Sequence, residues 1–493
     1  MHQPELNLHE MVLAHAHAEA DRCALIESGR PVSYGALRAA VLSVSELIDA
    51  AGVPADAVVA VRMNRGWFQV AALLAVIESG RVAAPVNPAL AVREISDYLE
   101  VLRPGGVLVD AEHASTGGAG GAIEMVGLQD AGAGALDRGL RSWDGDRPAI
   151  AFSTGGTTGA PKAVLWTHAG LTRSTVHQAL AFQRHRDDCE VYSAPLFHNA
   201  IVSGLLATLA VGGRAHVLPR FDARAVVDLI DDGATTMFAV PTQLVAMLDV
   251  MGPGARLGLE KLVVGAAHVS EQLIERLRGV FPAARLFSGY GLSEAGGTVS
   301  FASDAELSAG RTQGVGLPLP GVRVRVHPHD TDPGTDGSVG ELEVRSPFQG
   351  AGYVNRPDET AQTWVDGWVR TGDTARLSAD GWITILGRRK DTARSGGETI
   401  YFSEVEDAVI EHPRVTAAAA FSLSDEKWGD RVEIAVVVDG EAELTLVDLQ
   451  AHLAPRLTRF KWPKAVHAVS ELPTTPMGKL DRAALVTSIE ARG

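Results

Sequence analysis

Three glycines and four hydroxyl side chains crowd the segment Phe152-Ser-Thr-Gly-Gly-Thr-Thr-Gly-Ala-Pro-Lys162 directly ahead of its lysine. Glycines let backbone N–H groups turn toward an anion, hydroxyls add donors, and Lys162 adds a point charge. That is the chemistry of a phosphate cradle. The segment is not a Walker A loop, because the pattern GxxxxGK[ST] is absent. A Gly/Thr-rich surface loop is the bland alternative; the lysine and the strand-like Pro-Ala-Ile-Ala-Phe152 ahead of it favour the cradle.

This segment resembles the phosphate loop of the adenylate-forming superfamily: acyl-CoA synthetases, peptide-synthetase adenylation domains and luciferases. The resemblance recurs in the family's order. Tyr290-Gly-Leu-Ser-Glu294 is similar to the adenine and magnesium motif, and Trp368-Val-Arg-Thr-Gly-Asp373 to the ribose motif. Gly387-Arg-Arg-Lys-Asp391 resembles the interdomain hinge, and Pro476-Met-Gly-Lys479 the catalytic-lysine loop. Each is weak alone; their order over residues 152–479 makes the resemblance specific.

The resemblance implies that a carboxylate attacks the α-phosphorus of ATP, releasing pyrophosphate and leaving an acyl-AMP, with fixed donors and Mg²⁺ neutralising the developing charge. Ser153, Thr154, Gly155, Gly156, Thr157, Thr158, Gly159 and Lys162 would then cradle the phosphates. Glu294 would bind Mg²⁺, Ser293 would donate to the α-phosphate, and Tyr290, between Gly289 and Gly291, would stack on adenine. Asp373 suits the ribose diol, since one carboxylate can accept from both hydroxyls, and Arg388 would lie near ribose or phosphate. Lys479 would bridge the attacking carboxylate and the α-phosphate. Lys390 would be the pivot about which a small lobe turns.

For the acid, Pro195-Leu-Phe-His-Asn199 resembles the family's helix-entry motif, with His198 as a gate. The His198-Asn199 pair and the Gly-Gly-Thr-Thr-Gly loop are similar to aryl-acid ligases, where the asparagine hydrogen-bonds the acid. Asn199 can equally be a satisfied core amide. Gly265, Ala266, His268, Gly289 and Gly296 complete the expected pocket; His268 stands where the family usually has proline, as a substrate contact or a helix cap. Gly396, Gly397, Trp428, Phe460 and Lys464 resemble the tunnel for a thiol acceptor, either CoA or a carrier-protein phosphopantetheine. Trp462 departs from that pattern, a cation being usual there, and the tryptophans can also be ordinary half-buried aromatics.

The leading expectation is therefore an AMP-forming ligase joining an aromatic or related acid to CoA. The alternatives are loading of a carrier protein, adenylation of an unusual small acid such as nitrite, and a nucleotide-binding regulator without turnover. Retention of Glu294, Asp373 and Lys479 together argues against the last. Composition agrees with a large enzyme. The chain has 493 residues, 46% of them apolar, enough for two or three domains with sizeable cores. With 44 basic and 60 acidic residues the net charge is −16, which argues against a sequence-independent nucleic-acid binder. Cys23 and Cys189 form no CxxC pair, no apolar run reaches membrane-span length, and the start has no signal-peptide pattern; a cytoplasmic protein is expected.

The elements that must carry these residues follow from periodicity. From residue 234, TTMFAVP, QLVAMLDVM, KLVVGAA, SEQLIERLRGVF and ARLFSGYG alternate strand and helix, which implies a parallel sheet with helices on its faces. VRVRV and ELEVR, near 321–345, alternate with period two, as half-buried antiparallel strands do. Ser403-Glu-Val-Glu406 reads as a capping box opening a helix with Val405, Ala408 and Val409 inward. The Gly/Ala-rich stretch between 111 and 146 reads as a poorly ordered surface excursion. The expected fold class is α/β: a large N-terminal lobe of subdomains (1–386), with parallel sheets and a small distorted β-barrel, and a mobile, small C-terminal α+β lobe (387–493).

Overall fold

The computed structural model describes residues 6–113, 122–124, 138–154, 161–252, 254–265, 269, 271–312, 314–328, 339–388, 391–395, 398–425, 429–439, 444–474 and 480–491. Within them the strands form four sheets. The largest has nine strands, and its centre is parallel: Cys23–Glu27, Arg214–Val217, Cys189–Tyr192, Thr236–Ala239, Lys261–Gly265 and Arg285–Leu292 lie side by side. The β-branched and leucine-rich runs that fill these strands suit a sheet covered on both faces. A second sheet of seven strands has Val58–Arg62 between Val82–Pro85 and Gly106–Val109, all parallel. At its other side the hairpin Pro148–Thr154 and Lys162–Thr167 turns antiparallel around the glycine-rich loop.

One apolar core joins these two sheets. It takes in Leu25 and Val217 from the first, Val61 and Phe152 from the second, and the helices Trp67–Glu78 and Asn199–Ala210. The helix Trp67–Glu78 is apolar apart from Gln69 and Glu78 and is buried from Phe68 onward, as a helix without a polar face must be. The period-two segments form strands Arg323–His327 and Val339–Arg345, paired antiparallel, with Val344 opposite Val324. With Trp364–Val365, Trp368–Leu377 and Ile383–Arg388 they make a small five-stranded antiparallel sheet. The fourth sheet holds Thr392–Ser395, Glu398–Tyr401, Val415–Asp425, Gly429–Val438 and Val466–Ala468 and has its own core around Val405, Ile434 and Leu449. The α/β fold class with parallel sheets and a small C-terminal α+β unit is what the chain adopts.

One local expectation is corrected, and a second lies mostly outside the described residues. The helix that was to begin with a Ser403 cap spans Phe402–Ile410 with Tyr401 at its N-cap. Ser403 lies inside the first turn and its hydroxyl donates to the carbonyl of Leu386, while Glu406 accepts from the Ala420 amide and pairs with Arg482. The capping pattern was right in spacing but its side chains serve tertiary contacts instead. The Gly/Ala stretch lies mostly outside the described residues; its last part is anchored, Arg138 pairing with buried Glu78 at 2.7 Å and the Trp143 indole donating to the Glu78 carbonyl.

Candidate active site

The four-residue turn Ser293–Gly296, between strands Arg285–Leu292 and Gly297–Ala302, is the centre of the site. Three donors hold its backbone: Trp166 Nε1 to the Ser293 carbonyl at 2.8 Å, the Gly350 amide to the Glu294 carbonyl at 2.9 Å, and Ser174 Oγ to the Gly296 carbonyl at 2.7 Å. Gly296 has φ +88°, and a Cβ there would run into the Phe348 carbonyl, so glycine is required for close approach. That gives Gly296 a structural reason independent of the acid pocket.

On one side of the turn, Asn199 opens the helix Asn199–Ala210 and its Nδ2 donates to Ser293 Oγ at 2.5 Å, across 94 residues of sequence. His198 is the N-cap of that helix, its ring 4.3 Å from that of Phe197. Gly265 ends its strand directly beside Gly289 in parallel register, with the Phe238 ring against it. Asn199 is thus a partnered, half-buried amide in this structure.

On the other side, Glu294 Oε1 accepts from the Tyr353 phenol at 2.9 Å, and Lys162 Nζ stands 4.9 Å from the centre of the Tyr353 ring. Ser153 and Thr154 end the strand that leads into the loop. Farther along the strand that precedes the turn, Tyr290 donates its hydroxyl to Asp373 Oδ2 at 2.6 Å, and Arg388 Nε lies 3.1 Å from Asp373 Oδ1. Asp373 and Arg388 are register partners on adjacent strands. Burial, reinforced by the neighbouring Asp373 charge, pushes the Tyr290 phenol well above its ordinary pKa, so it stays a donor. Tyr290 is therefore pinned by its hydroxyl to the candidate ribose carboxylate.

Gly155, Gly156, Thr157, Thr158, Gly159, Ala266, His268, Lys390, Gly396, Gly397, Trp428 and Lys479 lie outside the described residues. Phe460 is 37% exposed on the turn Arg459–Lys461, and the Lys464 amide donates to the Val432 carbonyl. Trp462 packs on the core of the small unit and donates to the Leu457 carbonyl at 2.9 Å, as an ordinary half-buried indole does. Sequence reasoning passed over Tyr353 and Trp166. Both sit in strand-like runs where an aromatic reads as core; the glycines at 350 and 352 beside Tyr353 were the available signal.

Mg²⁺ prefers hard oxygen donors and is usually carried by one or two carboxylates plus substrate phosphates. Glu294 fits that role: the Tyr353 phenol engages Oε1, and the second oxygen of such a carboxylate can meet a cation. Among the described residues no three His, Cys, Asp or Glu side chains converge as an all-protein metal cage. No helix among them is long and apolar enough to cross a membrane.

The site thus joins a buried carboxylate, Asp373, bracketed by Tyr290 and Arg388, to a second carboxylate, Glu294, whose tyrosine partner also meets Lys162. The model for AMP-binding enzymes matches residues 12–354, and that for the AMP-binding enzyme C-terminal domain matches residues 404–479. The chain belongs to the AMP-binding enzyme family, and with it to the AMP-forming acid–thiol ligases. It is 30% identical to a fatty acid–[acyl-carrier-protein] ligase of Streptomyces coeruleorubidus over 98% of this chain and 96% of that one. It is 31% identical to a feruloyl-CoA synthase of an Amycolatopsis species over 94% of each. Among solved structures it is similar to the o-succinylbenzoate CoA synthetase of Bacillus subtilis bound to its acyl-adenylate (26% identity, TM-score 0.85, 98% of both chains). It is similar also to an amide bond synthetase of Marinactinospora thermotolerans (25% identity, TM-score 0.86, 98% of this chain and 99% of that one).

Proposed function

We propose that the chain uses ATP to activate an aromatic carboxylic acid as its acyl-AMP and then transfers the acyl group to the thiol of CoA. The observation that carries this reading is the Asn199–Ser293 hydrogen bond. It joins the helix entry that resembles an aryl-acid pocket to the turn bearing Glu294, so acid and nucleotide sites share a wall. In the first step a carboxylate oxygen bonds to the α-phosphorus as the bond to the β-phosphate oxygen breaks, and pyrophosphate leaves. In the second the thiol sulfur attacks the acyl carbon, loses its proton, and AMP departs.

Asp373 would hold the ribose hydroxyls, with Tyr290 and Arg388 fixing its two oxygens. Tyr290 would offer its ring to adenine, Ser293 its hydroxyl to the α-phosphate, and the glycine-rich loop with Lys162 would cradle the outer phosphates. Glu294 would hold Mg²⁺, which supplies fixed positive charge against the polyphosphate when bound. His198, Asn199, Gly265, Ala266, His268, Gly289 and Gly296 would line the acid pocket. Gly396, Gly397, Trp428, Phe460 and Lys464 would line the thiol's approach, on a lobe that begins at residue 387 and pivots at Lys390. The small sheet ends at Arg388 and the C-terminal sheet begins at Thr392, which supports that boundary.

The likeness to a carrier-protein ligase favours one second reading, in which the adenylate passes to a phosphopantetheine thiol on a carrier protein. Lys479 would stabilise charge between the carboxylate and the α-phosphate during the first step only. Lys479→Ala is therefore expected to bind ATP as the parent does while losing nearly all acid-dependent exchange of pyrophosphate into ATP. Undiminished exchange would remove Lys479 from the chemistry.

A further inference from the structure

Tyr353 lies outside the five motif segments described above, yet it touches both Glu294 and Lys162. Its short strand Gly352–Tyr353 pairs antiparallel with Lys162–Thr167, the strand that begins with the loop lysine. Two residues earlier the Gly350 amide donates to the Glu294 carbonyl, so one segment grips both the main chain and the side chain of Glu294. The ring itself is fixed: Trp364 meets it edge-on at 5.0 Å, and the Tyr353 amide donates to Thr360 Oγ1 at 2.9 Å, which in turn donates to the Arg356 carbonyl. Gly352, at φ +139°, lets the chain pass close to Thr360.

We infer that Tyr353 is a positioning residue for the ATP–metal site, its hydroxyl orienting Glu294 and its ring face seating the ammonium of Lys162. The inference rests on the reading of Glu294 as the metal carboxylate and of Lys162 as a phosphate ligand. A neutral phenol donating to one oxygen of a carboxylate leaves the other turned toward a cation without cancelling the charge, as partners of metal ligands commonly do. An aromatic face attracts an ammonium without neutralising it, so Lys162 can be held extended and still meet phosphate.

The two contacts separate by substitution. Tyr353→Phe deletes the hydroxyl and keeps the ring on Trp364; Tyr353→Leu deletes both. The test is calorimetric titration of the full chain with α,β-methylene-ATP at stepped Mg²⁺ concentrations, without acid, alongside Glu294→Gln. Tyr353→Phe is expected to raise the Mg²⁺ needed for half-maximal analogue binding about tenfold while leaving analogue affinity at saturating Mg²⁺ unchanged. Tyr353→Leu is expected to show the same Mg²⁺ shift and, in addition, weaker analogue binding at saturating Mg²⁺. In turnover, Tyr353→Phe should lose rate at low Mg²⁺, regain it at high Mg²⁺, and keep its KM for the acid. A Tyr353→Phe protein with the parent's Mg²⁺ dependence, beside a shifted Glu294→Gln, overturns the inference. If Glu294→Gln is also unshifted, the reading of Glu294 as the metal carboxylate fails and the inference falls with it.

Discussion

His168, the first residue of helix His168–Ala181, is 1% exposed, and neither of its ring nitrogens meets a hydrogen-bond partner among the described residues. Its neighbour His9 is equally buried, 6.1 Å away ring to ring, and satisfied only at Nε2 by the Arg141 carbonyl. Burial, with the His9 ring adding repulsion, pushes the His168 pKa down to about 3. In the unfolded chain the same side chain titrates near its ordinary value of 6.5. A base whose pKa is depressed on folding binds its proton more readily when unfolded. The folded state therefore carries no penalty above pH 6.5 and loses stability as pH falls from there toward 3. At pH 5.5, one unit below the unfolded pKa, the loss from this residue is about 1.4 kcal/mol, against under ~0.1 at pH 7.5. Carboxylates titrating over the same range are common to parent and variant, so the variant isolates the histidine. Urea unfolding of the parent and of His168→Leu at pH 7.5 and 5.5 should show their stability difference moving by about 1.4 kcal/mol in favour of the leucine protein at the lower pH. A difference that stays constant between the two pH values would refute the reasoning, because it would mean that His168 is protonated to the same degree folded and unfolded.

The Lys261 ammonium and the Asp188 carboxylate are both wholly buried, 2.7 Å apart, with the Gln183 carbonyl as a further acceptor at 2.8 Å. Asp188→Asn should cost about 3–5 kcal/mol in chemical denaturation, since an uncompensated buried charge remains; a loss below ~1 kcal/mol would mean that water reaches Lys261. Asp373→Asn keeps the Tyr290 contact but offers the ribose one acceptor oxygen without charge, and should raise the KM for ATP about 10- to 100-fold with the KM for the acid little changed. Asn199→Ala should do the reverse, raising the KM for the acid about 3- to 10-fold in pyrophosphate exchange; an unaltered acid KM would make Asn199 a purely structural amide.

The run of strands and helices from Thr236 to Leu292 was legible because each element is short, strongly periodic and bounded by turn residues. The period-two strands Arg323–His327 and Val339–Arg345 were legible for the same reason. The pairs that build the site were not. Asn199 meets Ser293 across 94 positions, and Tyr290 meets Asp373 across 83; no local pattern encodes a partner that far away. Motif resemblance supplied the residues but not their connections, so Tyr290 was read as a stacking ring and its bond to Asp373 went unseen. Ser403 and Glu406 show the opposite failure. Their spacing satisfies a local rule, yet the Leu386 carbonyl and the Arg482 guanidinium outcompete the helix terminus for them. Tyr353 was passed over because its partner Glu294 lies 59 positions away; Gly350 and Gly352 mark a close backbone approach there but not that partner.

Adenylation of an acid and its transfer to a thiol are tested most directly by pyrophosphate release with the products read by mass spectrometry. ATP and Mg²⁺ would be supplied with a panel of benzoates, cinnamates and short aliphatic acids, with and without CoA. An aromatic acid is expected to give many turnovers only when CoA is present, with its acyl-CoA and AMP as products. One pyrophosphate per enzyme whether or not CoA is added would contradict transfer to CoA and put a carrier protein in its place. No acid-dependent pyrophosphate at all would contradict the claim of adenylation itself.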